Sequence, residues 1–261
     1  MNLKAERNWI ISELENVADF WLKNGMDKVN GGVYTCLDKD GKVFSTDKSV
    51  WMQGRCGWIY AYLCHIYGVK KEWLEASKSC LDFLEKYCMN TKAEGRLYFT
   101  VTADGKPLRQ RRYCYSEAFY CIANAEYYGI TGEKEHLMRA RRAYEMYWNL
   151  NHGMADPTGM EPKTEPETRS GRGLGIPMIL LNVTSVLLRV DPEQADGRCI
   201  HYTTLRRRGY VIYCLYNVLS VGTGSFAKKS RFCTVLVSCD YFRQHCHSVQ
   251  SDRKDSICHY I

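Results

Sequence analysis

Along the body of the chain, apolar positions recur with the period of helices. Trp9, Ile10, Leu14, Val17, Ala18 and Trp21 fall on one face of a 3.6-residue spiral, which predicts a one-sided helix over Leu3 to Lys23, closed by Asn24-Gly25. The stretch 30–43 changes character, with short extended arms flanking Asp40-Gly41, the chemistry of a hairpin turn. A second helix is predicted from about Ser49 to Tyr67, ended by Gly68, and a third from about Lys71 to Cys88. So few residues separate these two that they must be antiparallel neighbours.

An offset of 64 residues repeats this unit without a gap: Val33-Tyr34 becomes Leu97-Tyr98, Asp40-Gly41-Lys42 becomes Asp104-Gly105-Lys106, and Trp51-x-Gln53 becomes Tyr115-x-Glu117. Ala61, Gly68 and Ala76 recur as Ala125, Gly132 and Ala140. A unit of hairpin, helix, tight turn and helix cannot cover its own apolar faces, so it must stack on its neighbours. The long hairpin loops, all preceding an inner helix, favour a toroid of inner and outer helices over an open solenoid. A third inner helix is expected after the Pro-rich loop Asp156 to Pro166, supplied by Arg172 to Asn182.

Its outer partner should follow Asp191-Pro192-Glu193, and the character of the chain changes there instead. Residues 194–261 contain no Glu and no Trp, six of the thirteen cysteines and four of the seven histidines. No sustained amphipathic helix can be drawn through Gly197 to Ile261. Two regions are expected: 1–193, half of a toroid, and 194–261, a basic, Cys-rich, irregular and poorly ordered tail. So abrupt a change inside a repeating unit is most simply explained by a reading frame or gene model that departs from the ancestral one near residue 194.

Charge leads to the same division. Of the net +7, residues 194–261 supply ten Lys and Arg against four Asp, leaving 26 basic against 25 acidic side chains in the body. That near-neutral body has no basic stripe for nucleic acid. The longest apolar run, Ile176 to Val190, is too short and too polar to span a bilayer. Residues 1–7 lead into a helix without an apolar signal core, which reads as a cytoplasmic protein with reduced thiols.

Candidate chemistry gathers at the start of the second helix. Trp51, Arg55, Trp58 and Tyr62 share one face, so a guanidinium sits inside an aromatic stripe. Two readings stay open from the residues alone. Arg55 is either a structural cation paired with Glu117, or, with Gln53, Glu117 and the faces of Trp51, Trp58 and Tyr115, part of a concave sugar site. Arg109, Arg111 and Arg112 read as a solvated loop rather than an approach to an anionic substrate. Gly171 to Gly175 and Gly222 to Ser230 lack dinucleotide and phosphate-loop spacing, and the Cys and His residues of 233–259 fit no zinc-ligand spacing. His65, His136 and His152 form no evident pair for proton transfer.

Four motifs together resemble the N-acylglucosamine 2-epimerase family, also known as renin-binding protein. They are Gly31-Gly32-Val33-Tyr34 with Leu37-Asp38-x-Asp40-Gly41; Lys48-x-x-Trp51-x-Gln53-Gly54-Arg55-x-x-Trp58; Tyr115-Ser116-Glu117-x-Phe119; and Pro177-Met178-Ile179-Leu180-Leu181-Asn182. The match runs over roughly residues 9–193. The resemblance implies an all-α (α/α)6 barrel, here in part, that interconverts N-acylglucosamine and N-acylmannosamine by removing and returning the proton at C2. It also implies no metal and no required cofactor, ATP as an effector, and a homodimer. Arg55 corresponds to the family's substrate-side arginine, and Trp51, Gln53, Tyr115 and Glu117 to pocket residues. The family's two catalytic histidines lie in the second half of the barrel. His201, His245, His247 and His259 do not match their motifs, so an inactive protein is expected. A non-catalytic sugar-binding or interaction module is the alternative, and a toroidal glycan hydrolase or lyase, which needs two carboxylates across a bond, is the third reading.

Overall fold

The helical periodicity is realised nearly residue for residue. The computed structural model describes residues 3–161, 163–165, 167–168, 175–192, 210–214 and 235–239. Helix α1 (Leu3–Asn24) ends where Gly25 donates its amide to the Trp21 carbonyl at 2.8 Å. Helix α2 (Val50–Tyr67) is followed after a three-residue turn by α3 (Lys71–Tyr87). Helices α4 (Tyr115–Thr131) and α5 (Lys134–Asn151) repeat that pair, and α6 (Gly175–Leu188) follows. Arg172, where the sequence expectation began the sixth helix, lies outside the described residues.

Side-chain contacts define two layers. Trp51 meets Tyr115 and His65 meets Glu126, so α2 and α4 run parallel as inner neighbours. Ser77 donates to the Gly57 carbonyl at 2.7 Å, and Cys64 lies against Lys70, so α3 returns antiparallel on the outside of α2. Asn124 with His136, and Asn151 with Cys114, show the same for α5 on α4. Tyr60 of α2 donates to the Ala18 carbonyl of α1, and Tyr144 of α5 bonds Thr184 of α6. Three inner helices (α2, α4, α6) and three outer ones (α1, α3, α5) thus form part of an (α/α)6 barrel among the described residues.

The sequence dictates which helix lies where. Helix α3 buries Trp73, Ala76, Ser77, Cys80, Leu81, Phe83 and Leu84, a stripe with helical spacing, and leaves its Lys and Glu residues outside. Each of its large apolar side chains contributes roughly 1.5–3 kcal/mol on burial. Helix α4 has no such sidedness: every residue from Ser116 to Tyr127 is buried, as suits a helix flanked on both sides by inner neighbours and covered by an outer one. At Gly54 an added Cβ would stand 2.7 Å from the Phe119 Cβ, so the missing side chain lets α2 approach α4.

Short strands fill the loops before the inner helices. Strand β1 (Cys36–Leu37) pairs antiparallel with β2 (Val43–Ser45), and β3 (Lys48–Ser49) leads directly into α2. In the next unit β4 (Met89–Asn90) pairs with β5 (Arg96–Leu97), and β6 (Thr100–Val101) with β7 (Pro107–Arg109). The β3–β6 pairing joins the two units into one three-stranded sheet over the helix starts. Gly41 and Gly105, with φ of +85° and +88°, close matching turns by donating to Asp38 and Thr102, each at 3.0 Å.

The described structure divides into two units, Met1–Gly197 and Arg198–Ile261. In the second, β8 (Tyr210–Cys214) and β9 (Val235–Cys239) pair antiparallel, where the sequence suggested irregular chain; the β-branched and aromatic residues of 210–213 fit a strand. The remainder of the expected tail, with His201, His245, His247 and His259, lies outside the described residues. No helix among the described residues is long and apolar enough to cross a membrane.

Candidate functional site

The site is built where the hairpin sheet meets the first turns of α2 and α4. Val50 donates its amide to the Phe99 carbonyl at 3.0 Å, and the Phe99 amide donates to Arg109 at 2.8 Å, which fixes Phe99 above the start of α2. Trp51 then becomes the centre of an aromatic group. Its ring meets Phe99 at 4.9 Å, Tyr115 at 5.4 Å and Phe119 at 6.1 Å between centroids, all edge-on. Tyr113 stacks on Tyr115 at 5.9 Å.

Two guanidiniums border this group. Arg55 lies over Phe119, 4.4 Å from the ring centroid, and Arg111 lies over Phe99 at 3.9 Å. Arg55 is exposed and has no carboxylate partner among the described residues. It also borders a cavity of about 450 Å³ walled by Leu14, Val17 and Trp21 of α1, Trp58 of α2, and Phe119 of α4.

The ion pair offered as the structural explanation of Arg55 is absent. Glu117 is 1% exposed, and its Oε1 accepts from Arg96 Nε at 2.7 Å and from the Leu97 amide at 2.9 Å. Arg96, fully buried, also binds Asp156 and donates to the Arg111 carbonyl at 3.2 Å. Burial opposes ionisation of Asp156, but the hydrogen bonds from Arg96 and Thr158 outweigh it and hold the carboxyl below its ordinary range. Gln53 is likewise fully buried: its amide accepts from the Val33 N–H at 2.8 Å and donates to the Val33 carbonyl at 2.6 Å.

Sequence reasoning is therefore corrected on Gln53 and Glu117. Both sit under the wall of the site, tethering a hairpin to an inner helix, and present no surface to a ligand. Trp51, Arg55 and Tyr115 are brought together at the helix starts as expected. Trp58 lies further along α2, where it stacks on Tyr62 at 5.2 Å. The solvated-loop reading of Arg111 is also corrected, since its Nε is buried against Phe99. Phe99, Arg96 and Asp156 were missed; the hairpin repeat placed the loop of the first two and the Pro-rich stretch that of Asp156, but nothing in the spacing marked these side chains.

Lys48, the first residue of the quoted motif, is fully buried beneath the same sheet. Its ammonium donates to Asp27 at 2.7 Å and to the carbonyls of Gly31 at 2.7 Å and Ala103 at 3.1 Å, so one cation ties the turn after α1 to the β6–β7 turn. Burial raises the Asp27 pKa, yet the bonds from Lys48 and Asn30 prevail and leave it well below the carboxylate range.

The histidines of the body lie elsewhere. His65 Nδ1 stands 3.2 Å from Glu126 at the opposite ends of α2 and α4, where Arg189 also reaches Glu126. His136 is buried against Asn124 at 2.7 Å, and burial, with the nearby Arg139, pushes its pKa down. His152 stacks on Trp148 at 4.0 Å after α5. None of the three contacts Arg55 or Trp51.

Comparison with known proteins gives a consistent picture. The profile of the family described as N-acylglucosamine 2-epimerase (GlcNAc 2-epimerase) matches residues 32–195. The N-acylglucosamine 2-epimerase of Rattus norvegicus is 34% identical over 200 residues, covering 74% of this chain and 46% of that protein. The cellobiose 2-epimerase of Eubacterium cellulosolvens is 30% identical over 133 residues, 50% of this chain and 32% of its own. Among solved structures, a sugar epimerase from a ruminal bacterium superposes with a TM-score of 0.61 at 25% identity, over 72% of this chain and 52% of that one. The chain spans about half the length of the curated N-acylglucosamine 2-epimerases it matches.

Proposed function

The chain belongs to the N-acylglucosamine 2-epimerase family, and on that premise we propose that the mouth formed by Trp51, Arg55, Tyr115 and Phe119 holds the reducing end of a sugar of the kind that the matched relatives epimerise at C2. N-acylglucosamine and N-acylmannosamine are the proposed pair, after the matched relatives. The observation that carries this reading is the state of Arg55. An inner-helix guanidinium remains without a carboxylate partner among the described residues, stacked on an aromatic ring, while the carboxylate expected to neutralise it is taken by Arg96. An unpaired cation over an apolar wall is suited to a ligand that develops negative charge.

In the epimerisation that the relatives' names describe, the sugar opens to its aldehyde and the C2–H bond, α to the carbonyl, breaks, its proton passing to a base and its electrons to the carbonyl oxygen; the described residues supply no such base beside Arg55. Arg55 donates hydrogen bonds to that oxygen and stabilises the enolate. Trp51, Tyr115 and Phe119 pack against the C–H faces of the sugar and hold it in one orientation. Return of a proton to the other face of C2 completes the inversion. Gln53 and Glu117 act one layer below, holding Val33 and Leu97 so that the hairpins form the mouth.

The base that removes the proton is not among His65, His136 and His152, all of which lie away from Arg55. We therefore assign the 261-residue chain sugar recognition without C2 exchange, the role of a non-catalytic sugar-binding member. Glu117 and Asp156 are both held by Arg96, which speaks against their use as an acid and base pair for glycan cleavage. A homodimer and a response to ATP belong to the proposal on family membership alone. A cytoplasmic location is supported by the unpaired thiols of Cys36, Cys56, Cys64, Cys80, Cys88, Cys114 and Cys121.

The test is titration of the 261-residue protein with N-acetylmannosamine, paired with an assay for deuterium entry at C2 in heavy water. Saturable binding that disappears in Arg55→Ala, with no deuterium at C2, supports the reading. Clear exchange would overturn the assignment of inactivity, and absence of binding would overturn the site.

A further inference from the structure

The Arg111 side of the mouth is more elaborate than a neutral sugar requires. Arg111 is half-buried, its guanidinium carbon lies 3.9 Å from the Phe99 centroid, and its Nε is buried without a hydrogen-bond partner. The indole Nε1 of Trp51, the ring packed edge-on against the same Phe99, is also buried and unpartnered. Two donors withdrawn from water and left unmatched are each costly, by about 1–3 kcal/mol. They flank one aromatic ring at the opening of the site.

Charge gives the second observation. Arg55, Arg109 and Arg111 border the aromatic group, Arg109 standing 5.8 Å from the Phe99 centroid. None has an acidic partner among the described residues. Glu117 and Asp156, carboxylates beneath this group, bind Arg96, and Asp27 and Asp104 pair with Lys48 and Lys106. Arg96 also fixes the backbone that carries Arg111, through the hydrogen bond to its carbonyl at 3.2 Å. The mouth therefore holds a fixed surplus of positive charge on a rigid aromatic support, an arrangement matched to a planar or tetrahedral oxyanion.

We propose that this mouth recognises an anionic sugar, one carrying a carboxylate or phosphate group, with Arg111 on Phe99 as the residue that binds the anion. The inference rests on the sugar-site reading and deepens it: Arg55 takes the reducing end, and Arg111 selects the charged substituent. Arg111 is a specificity residue in this scheme and takes no part in proton transfer.

The experiment measures, by calorimetry on the 261-residue protein, the affinities of N-acetylmannosamine, N-acetylmannosamine 6-phosphate, mannuronate, ATP and inorganic phosphate. Wild type is compared with Arg111→Gln, which removes the charge, and Arg111→Lys, which keeps the charge but loses the planar stack. At least one anionic sugar is expected to bind about tenfold more tightly than the neutral one. That advantage, read as the ratio of anionic to neutral-sugar affinity, should vanish in Arg111→Gln and in about 0.5 M salt, and fall in Arg111→Lys. Equal affinity for neutral and anionic sugars overturns the inference and leaves the sugar site standing. Failure of every sugar, neutral or anionic, to bind overturns both, whatever ATP or phosphate does. An unchanged anion preference in a folded Arg111→Gln, checked by its melting curve, also overturns it.

Discussion

Gln53 and Glu117 occupy the same place in successive repeats, and each accepts the backbone amide of the residue twenty positions before it: Val33 at 2.8 Å and Leu97 at 2.9 Å. One latch is neutral and exchanges two hydrogen bonds with Val33, while the other is ionic and leans on buried Arg96. The difference predicts unequal costs. Gln53→Ala should lose about 1–3 kcal/mol, from stranding buried backbone groups. Glu117→Ala should lose about 3–5 kcal/mol, since it leaves Arg96 buried with half its counter-charge. Urea denaturation measures both, and equal losses would refute the distinction.

Arg55 should behave in the opposite way. Being exposed and without an ion pair among the described residues, it contributes little to folding. Arg55→Ala is expected to change stability by no more than about 0.5 kcal/mol while abolishing measurable N-acetylmannosamine binding. A large drop in melting temperature would return Arg55 to a structural role.

Lys48, like Arg96, is a fully buried cation. Lys48→Met keeps much of the volume but leaves Asp27 buried without its cation and two carbonyls unmatched. A loss of about 3–5 kcal/mol is expected, with the fastest gain in amide exchange at Gly31, Val33 and Thr102. Uniform exchange throughout the chain would count against this tie between the two turns.

Acid should weaken the fold through Asp27 and Asp156. Both have folded pKa values below their ordinary carboxylate value of 3.8. Their stabilisation is thus complete above that value and lost as pH falls through the lowered folded values. Urea midpoints are expected to be flat with respect to these two groups from about pH 7 to 5 and to fall below about pH 4. Asp156→Asn should show a shallower fall than wild type, and identical slopes would exclude Asp156 as a contributor.

Much of this architecture was legible in the chain itself. Apolar spacing and helix-stop residues located α1 to α3 within a residue or two, and the 64-residue offset carried the α2–α3 pair over to α4 and α5 and to matching turns at Gly41 and Gly105. The partner of Glu117 was not legible. Arg55 and Arg96 are both arginines within reach of a repeat position, and only the path of the β5 strand decides which one meets the carboxylate. Gln53 misled for a related reason: a polar residue on an inner helix reads as a ligand donor unless the hairpin folded behind it is known. Arg111 looked like a solvated loop residue because pattern alone cannot register that Phe99 lies beneath it.

Gly54 acts as a gauge on the aperture. With only 2.7 Å between its would-be Cβ and that of Phe119, α2 and α4 are already at closest approach, and the spacing of Trp51 and Tyr115 is fixed with them. Even alanine at this position would pry the helices apart. The width of the opening is thereby set by backbone, and adaptation to a larger or smaller ligand must come through the hairpins that roof it.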